Sequence, residues 1–100
     1  MSKINISLIS LLFSILSLSY GHAGDIAYGE YLASECVTCH VPSNDIPPIK
    51  GIDKAHFIEA MNSYKTGERS NEVMQSVAKS LGEEEIESLA EYLYSLDPAY

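Results

Sequence analysis

The sequence predicts an all-α protein built from four or so short helices. Apolar residues recur at helical spacing in several separate segments, and no segment shows the alternating pattern of a strand. Prolines and glycines separate these segments and set their bounds. A chain of 100 residues leaves room for one domain at most.

The first 23 residues have the layout of a secretory signal peptide. Lys3 lies in a short polar start, an apolar run covers Ile4 to Leu18, and small residues around Ala23 suit a signal peptidase. The run is too short, and too often interrupted by Ser and Asn, for a spanning helix. We expect cleavage after Ala23, a periplasmic domain over residues 24–100, and no stable membrane anchor.

The first helix is predicted over Ile26 to Cys36, with Asp25 as its N-cap. One face of this helix carries Ile26, Gly29, Leu32, Ala33 and Cys36. A glycine inside a helix costs about 1 kcal/mol relative to alanine. Gly29 therefore marks either a close crossing with another helix or a weak, frayed first turn.

Three further helices follow a proline-rich loop that covers Val41 to Gly51. The second is predicted over Lys54 to Lys65, the third over Val73 to Lys79, and the last begins after Gly82 with three glutamates at its positive dipole end. The second helix carries the apolar stripe Phe57, Ile58, Met61 and Tyr64, and the last carries Ile86, Leu89, Ala90, Leu93 and Leu96.

The chain is strongly acidic, which bears on its partners. All 14 Asp and Glu lie beyond Ala23, whereas one of the 6 basic residues, Lys3, lies before it, so residues 24–100 carry 5 − 14 = −9. A nucleic-acid partner is excluded because phosphate binding needs a basic face. The charge suits a protein that docks on a basic surface, or whose docking face is locally neutral.

Cys36-Val37-Thr38-Cys39-His40 reads C-x-x-C-H, the attachment sequence of a c-type haem. Two cysteines three residues apart at a helix end point to one side, where both sulfurs reach one haem, and His40 supplies an axial nitrogen. A zinc site would need a second cysteine pair, and a thioredoxin-like dithiol goes with a βαβ pattern. A covalent haem also supplies the apolar core that so short a chain lacks.

The second axial ligand has three candidates, and Met74 ranks first. It lies beyond a polar connection, well separated in the chain from His40, whereas Met61 lies on an apolar helix stripe and suits core packing. His56 is expected to be exposed, early in its helix. His/Met ligation raises the reduction potential and suits electron transfer.

Beyond the C-x-x-C-H motif, the segments Tyr64 to Arg69, Val73-Met74 and Leu89 to Leu93 resemble class I c-type cytochromes of the c553 and c4 kind. They look most like the cytochrome subunit of flavocytochrome c sulfide dehydrogenase. The resemblance implies one haem c, with Met74 as the distal ligand and Met61 in the core. It also implies that the first and last helices cross at Gly29 and Tyr92, and that the Pro47 carbonyl accepts a hydrogen bond from His40.

The function implied is that of a monohaem electron carrier, not an enzyme in itself. One alternative is the haem subunit of a sulfide-oxidising flavocytochrome. A five-coordinate haem gas sensor is a further alternative and requires that Met74 does not bind iron. The expected partners are redox proteins, such as a flavoprotein sulfide dehydrogenase subunit or a respiratory oxidase.

Overall fold

The computed structural model describes residues 24–43 and 45–98, and the part it describes contains helices and no strand. The helices are α1 (Ile26–Cys39), α2 (Lys54–Thr66), α3 (Glu72–Lys79) and α4 (Glu83–Ser95). The predicted all-α class is therefore confirmed. The signal peptide expected over residues 1–23 lies outside the described residues. None of the described helices combines the length and apolar character needed to span a bilayer.

The helix ends lie close to the predicted ones because short polar side chains cap them. The Asp25 carboxylate accepts hydrogen bonds from the Ala27 and Tyr28 backbone N–H groups at 2.9 and 3.3 Å. At its other end α1 continues to Cys39, three residues beyond the predicted end. The C-x-x-C segment is therefore helical throughout.

The later helices are capped in the same way. Asp53 accepts a hydrogen bond from His56 N–H at 3.0 Å, and Gly67 ends α2 in the left-handed region with φ 86°. At the start of α4 the residue Gly82 has no side chain to act as a cap. Its own N–H instead donates to the Glu85 carboxylate at 2.8 Å, which anchors the first turn from the other side.

The core is formed where α1 and α2 both pack on α4, while α3 packs on α2. Its buried apolar residues are Ala33, Ile49, Phe57, Met61, Ala78, Ile86, Leu89, Ala90 and Leu93. The predicted stripes of the second and last helices are thus confirmed at their centres. Ile26, which its spacing places on the same face of the first helix as Gly29 and Ala33, is half exposed. The face that α1 buries is centred on Gly29 and Ala33, and Ile26 lies at its edge.

Gly29 lies at a contact between the backbones of α1 and α4. A Cβ atom at this position would lie 2.0 Å from the carbonyl oxygen of Ser88 and 2.8 Å from Cβ of Tyr92. The frayed-turn interpretation is therefore wrong, and the crossing with Tyr92 is present. Ser88 is buried, and its hydroxyl accepts a hydrogen bond from the Asp25 backbone N–H at 3.0 Å.

Candidate haem site

The three residues of the attachment motif occupy the C-terminal end of α1. His40 is the C-cap residue, and its backbone N–H donates to the Cys36 carbonyl at 3.0 Å. Cys36 is half-buried and packs against the apolar core, whereas Cys39 is exposed. The helix therefore presents one sulfur beside the core and the second one turn further on, with the imidazole following directly.

The Cys36 thiol does not have the character of a redox nucleophile. Burial raises its pKa, and the neighbouring Glu35 carboxylate adds to this effect by disfavouring a second negative charge. Dithiol oxidoreductases need the opposite, because the thiolate is the attacking species and its pKa is lowered. Together with the all-helical architecture, this favours a cysteine that holds a group over one that exchanges disulfides.

The imidazole of His40 is oriented by the following loop. Its Nδ1 lies 2.7 Å from the carbonyl oxygen of Pro47. Because a carbonyl can only accept, Nδ1 carries the proton, and in the neutral ring the lone pair is on Nε2. A histidine that binds a metal through one nitrogen typically donates its other N–H in this way. The contact that the resemblance implied for Pro47 is therefore present.

The loop that carries Pro47 is itself attached to the core. Gly51 adopts a left-handed conformation with φ 75°, and its N–H donates to the Leu93 carbonyl of α4 at 2.8 Å. Ile49, which lies between Pro47 and Gly51 in the sequence, is buried in the core. The acceptor for His40 therefore has a fixed position relative to α4, the helix on which α1 also packs.

Met74 lies in the first turn of α3, half-buried and packed against the same core cluster as Cys36. Met61 is 4% exposed, which confirms its expected place in the core. His56 is exposed, as predicted for a residue in the first turn of α2. Of the three candidates for the distal ligand, Met74 alone combines contact with the core and partial exposure, and its assignment to iron stays a prediction.

The two halves of the candidate site belong to different pairs of helices. Among the four described helices, α1 packs on α4 alone and α3 packs on α2 alone, while α2 and α4 contact each other. The helix that carries the motif, α1, therefore does not pack directly on α3, and Cys36 and Met74 each pack against the core. Their relative placement depends on how α2 packs on α4.

The residues at hand fit a covalently held haem. The set comprises two thiols, an imidazole with Nε2 available and a thioether, and both Cys36 and Met74 adjoin an apolar cluster. These are the donors that c-type cytochromes use, and the apolar surroundings suit the porphyrin. When bound, haem supplies one-electron iron chemistry. The chain's own part would be to hold it through Cys36 and Cys39 and to orient His40 and Met74.

Two residues that support the site were missed by sequence reasoning. Asn71 caps α3 by accepting from Met74 N–H at 2.9 Å, although an asparagine three residues before Met74 is a recognisable N-cap signal. Ser88 was missed because a serine within an apolar helix stripe gives no sign of the partner that it finds across the crossing.

The chain is similar in sequence to known cytochromes, although no family model matches it. A thiosulfate dehydrogenase electron acceptor of Stutzerimonas stutzeri is 30% identical over 64% of this chain and 32% of that protein. Cytochrome c4 of Pseudomonas aeruginosa is 28% identical over 88% of this chain and 47% of that protein. A thiosulfate dehydrogenase electron acceptor of Thiomonas intermedia is 27% identical over 67% of this chain and 34% of that protein.

The chain spans between about a third and a half of the length of these relatives. The match with cytochrome c4 nevertheless covers 88% of the chain, which is enough to include the attachment motif. This similarity and the all-helical architecture, which is that of the class I cytochrome c fold, together support a c-type cytochrome.

Proposed function

We propose that residues 24–100 form a monohaem c-type cytochrome domain that carries single electrons in the periplasm. Cys36 and Cys39 hold the haem through thioether bonds, and His40 and Met74 are the axial ligands of its iron. The observation that carries the proposal is the 2.7 Å contact between His40 Nδ1 and the Pro47 carbonyl. It leaves Nε2 as the ligating nitrogen, directly after a helical C-x-x-C pair.

The supports of the two axial side chains suit electron transfer better than binding of a substrate or gas. His40 is oriented by a backbone carbonyl, and Met74 lies in a capped helical turn packed on the core. With both side chains bound, the iron has no open position for an external ligand. Ligands held in one geometry also need little rearrangement when the iron changes its charge.

Two matched methionine variants test the ligand assignment. Met74→Leu and Met61→Leu each replace a thioether by a hydrocarbon of similar volume, at a half-buried and at a buried position. The chain is expressed with its N-terminal segment in a host that attaches c-type haem, and absorption is recorded in the oxidised state. We expect the weak sulfur-to-iron charge-transfer band in the wild type and in M61L, and its loss in M74L.

The opposite outcomes are equally clear. A wild-type protein with a high-spin spectrum that binds CO readily would support the five-coordinate sensor instead. A band lost in M61L and kept in M74L would transfer the ligand role to Met61. Absence of covalent haem in the wild type, with haem present in a known cytochrome matured in the same cells, would contradict the proposal as a whole.

For the redox partner, the relatives favour an enzyme that oxidises a reduced sulfur compound. Two of them carry the name thiosulfate dehydrogenase electron acceptor. We propose such an enzyme as the electron donor, with a flavoprotein sulfide dehydrogenase subunit as the alternative and a respiratory oxidase as a candidate acceptor. The charge of −9 over residues 24–100 suits docking on a basic surface of that partner.

The donor is identified by reduction kinetics. The oxidised cytochrome is mixed with thiosulfate dehydrogenase and thiosulfate, or with a flavoprotein sulfide dehydrogenase and sulfide, at several salt concentrations. We expect faster reduction in the first mixture and a rate that falls as salt screens the charges. Faster reduction in the second mixture would favour the flavocytochrome alternative, and equal slow rates would contradict both donors.

A further inference from the structure

We propose that Asn71 is a positioning residue for Met74. By holding the turn that carries this methionine, Asn71 keeps the sulfur on the iron. The inference rests on the proposed function, because it takes Met74 to be the distal ligand. Asn71 itself touches neither the iron nor an electron-transfer partner in this proposal.

Three hydrogen bonds that involve Asn71 close the first turn of α3. Its side-chain oxygen accepts from the Met74 backbone N–H at 2.9 Å. Its backbone N–H donates to the Gln75 side-chain oxygen at 3.3 Å. The Asn71 carbonyl also accepts from Gln75 N–H at 2.8 Å, as the first hydrogen bond of the helix. The cap bond thus ends on the backbone of the proposed ligand.

The apolar side chains of this turn give it one contact with the core. Glu72 and Val73 are exposed, Val73 to 65%. Of the two apolar residues in the first turn, Val73 and Met74, only Met74 packs against the core. If the cap is removed, the turn frays, and the fraying displaces the one residue whose sulfur is needed at the iron.

The chain that leads into Asn71 is tied to the end of α2. Arg69 N–H donates to the Ser63 carbonyl at 3.1 Å, and the Arg69 guanidinium lies over the Tyr64 ring, 5.2 Å from its centroid. Tyr64 packs against the core. Asn71 therefore joins a connection that is already anchored on α2 to the turn that presents Met74.

The expected consequence concerns the equilibrium between bound and detached Met74. Loss of an N-cap destabilises the affected helix turn. The ratio of detached to bound Met74 should therefore rise about fivefold. A molecule with detached Met74 can bind added imidazole, so the apparent affinity for imidazole reports how well the sulfur competes. We expect N71A to bind imidazole about fivefold more tightly and to show a weaker charge-transfer band.

The control is a cap of the same kind at another helix. Asp53 caps α2 by accepting from His56 N–H at 3.0 Å, so D53A removes an equivalent bond from a turn that carries no proposed ligand. D53A should lower overall stability by a similar amount and leave the band and the imidazole affinity unchanged. N71S restores a neutral cap and should restore both readouts. Q75A removes the hydrogen bond between the Asn71 N–H and the Gln75 side chain. It should change the band and the imidazole affinity in the same direction as N71A, but by less.

Three results would overturn the inference. The first is an equal imidazole affinity in N71A and D53A, and the second is an N71S protein that behaves like N71A. The third applies if N71A does not fold, and it is a Q75A protein with the band and imidazole affinity of the wild type. In each case the wild-type protein still shows the charge-transfer band, so the proposed function stands. If the wild type lacks that band, the proposed function itself fails, and the inference fails with it.

Discussion

The two sides of the candidate site are held in different ways. The proximal region, residues 36–51 with the α1–α4 crossing behind it, depends mainly on backbone groups. Gly29 contacts the Ser88 carbonyl, His40 donates to a backbone carbonyl, and the Gly51 N–H donates to another. The distal region, residues 67–75, depends mainly on side chains, namely the Arg69 guanidinium and the amides of Asn71 and Gln75.

This difference determines how each region responds to substitution. Backbone contacts survive the truncation of a side chain, but they fail when an atom is added where two backbones touch. Side-chain contacts are lost on truncation to alanine. The proximal region should therefore tolerate most small substitutions and reject a few enlargements, whereas the distal region should be sensitive to the loss of single polar groups.

The largest effect is expected from Gly29→Ala. Alanine favours the helix by about 1 kcal/mol, but its Cβ would lie 2.0 Å from the Ser88 carbonyl oxygen, and such overpacking costs about 3 kcal/mol. We therefore expect a net loss of about 2 kcal/mol in the free energy of unfolding, measured by denaturant titration of the holoprotein.

The control for this change is Gly82→Ala, where an added Cβ meets only the Glu85 carboxylate oxygen at an ordinary 3.5 Å. It should cost about 1 kcal/mol or less, as expected when glycine is replaced at an N-cap. A G29A protein more stable than the wild type would show that α1 and α4 do not touch at this point.

A smaller effect is expected from Pro47→Ala, because the acceptor for His40 is a backbone carbonyl that alanine also has. The hydrogen bond should remain, and with it the reduction potential and the spectrum. Stability should fall by about 0.4 to 1 kcal/mol, because a residue other than proline leaves the unfolded chain more freedom.

Pro48→Ala is the matched control, since it changes the same ring one position further along the loop. Both variants should lose similar stability and keep the wild-type potential, measured by redox titration. A potential that shifts in P47A and not in P48A would mean that the proline ring, and not only its carbonyl, orients His40.

The smallest effect concerns Glu85, which joins the start of α4 to α1. The hydrogen bond from Gly82 N–H, and then that from the Tyr28 hydroxyl at 3.0 Å, lower the pKa of this carboxyl. A lowered pKa in the folded state stabilises the protein fully above the ordinary pKa of a glutamate. The contribution disappears as the pH falls through the folded-state value. The E85Q protein should therefore lose less stability than the wild type on acidification from neutral pH to about pH 3.

Unfolding midpoints at a series of pH values test this expectation, with Glu84→Gln as the control. That change removes a carboxylate from the same turn and leaves both hydrogen bonds to Glu85 in place. Identical pH profiles for the wild type and E85Q would show that the two bonds do not favour the ionised carboxylate in the folded protein.

Most of the fold, and the proximal half of the candidate site, could be predicted from signals that span only a few residues of the sequence. Asp25, Asp53 and Gly67 mark helix ends through short-range chemistry, so the helix bounds came out within a few residues. C-x-x-C-H is likewise a local pattern, and its residues follow one another along a single helix end. The hydrogen bond of Ser88 and the exposure of Ile26 could not be predicted, because each depends on where another helix lies.

The sequence by itself determined the helices, their caps, the attachment motif and a short set of candidates for the distal ligand. The tertiary structure decided that Gly29 is a crossing point and that His40 donates to Pro47. It also decided that Met61 is buried while Met74 lies half-exposed in a capped turn. The reason is that caps and motifs act over a few residues of chain. Burial and the approach of two backbones depend on packing between segments that are distant in the sequence.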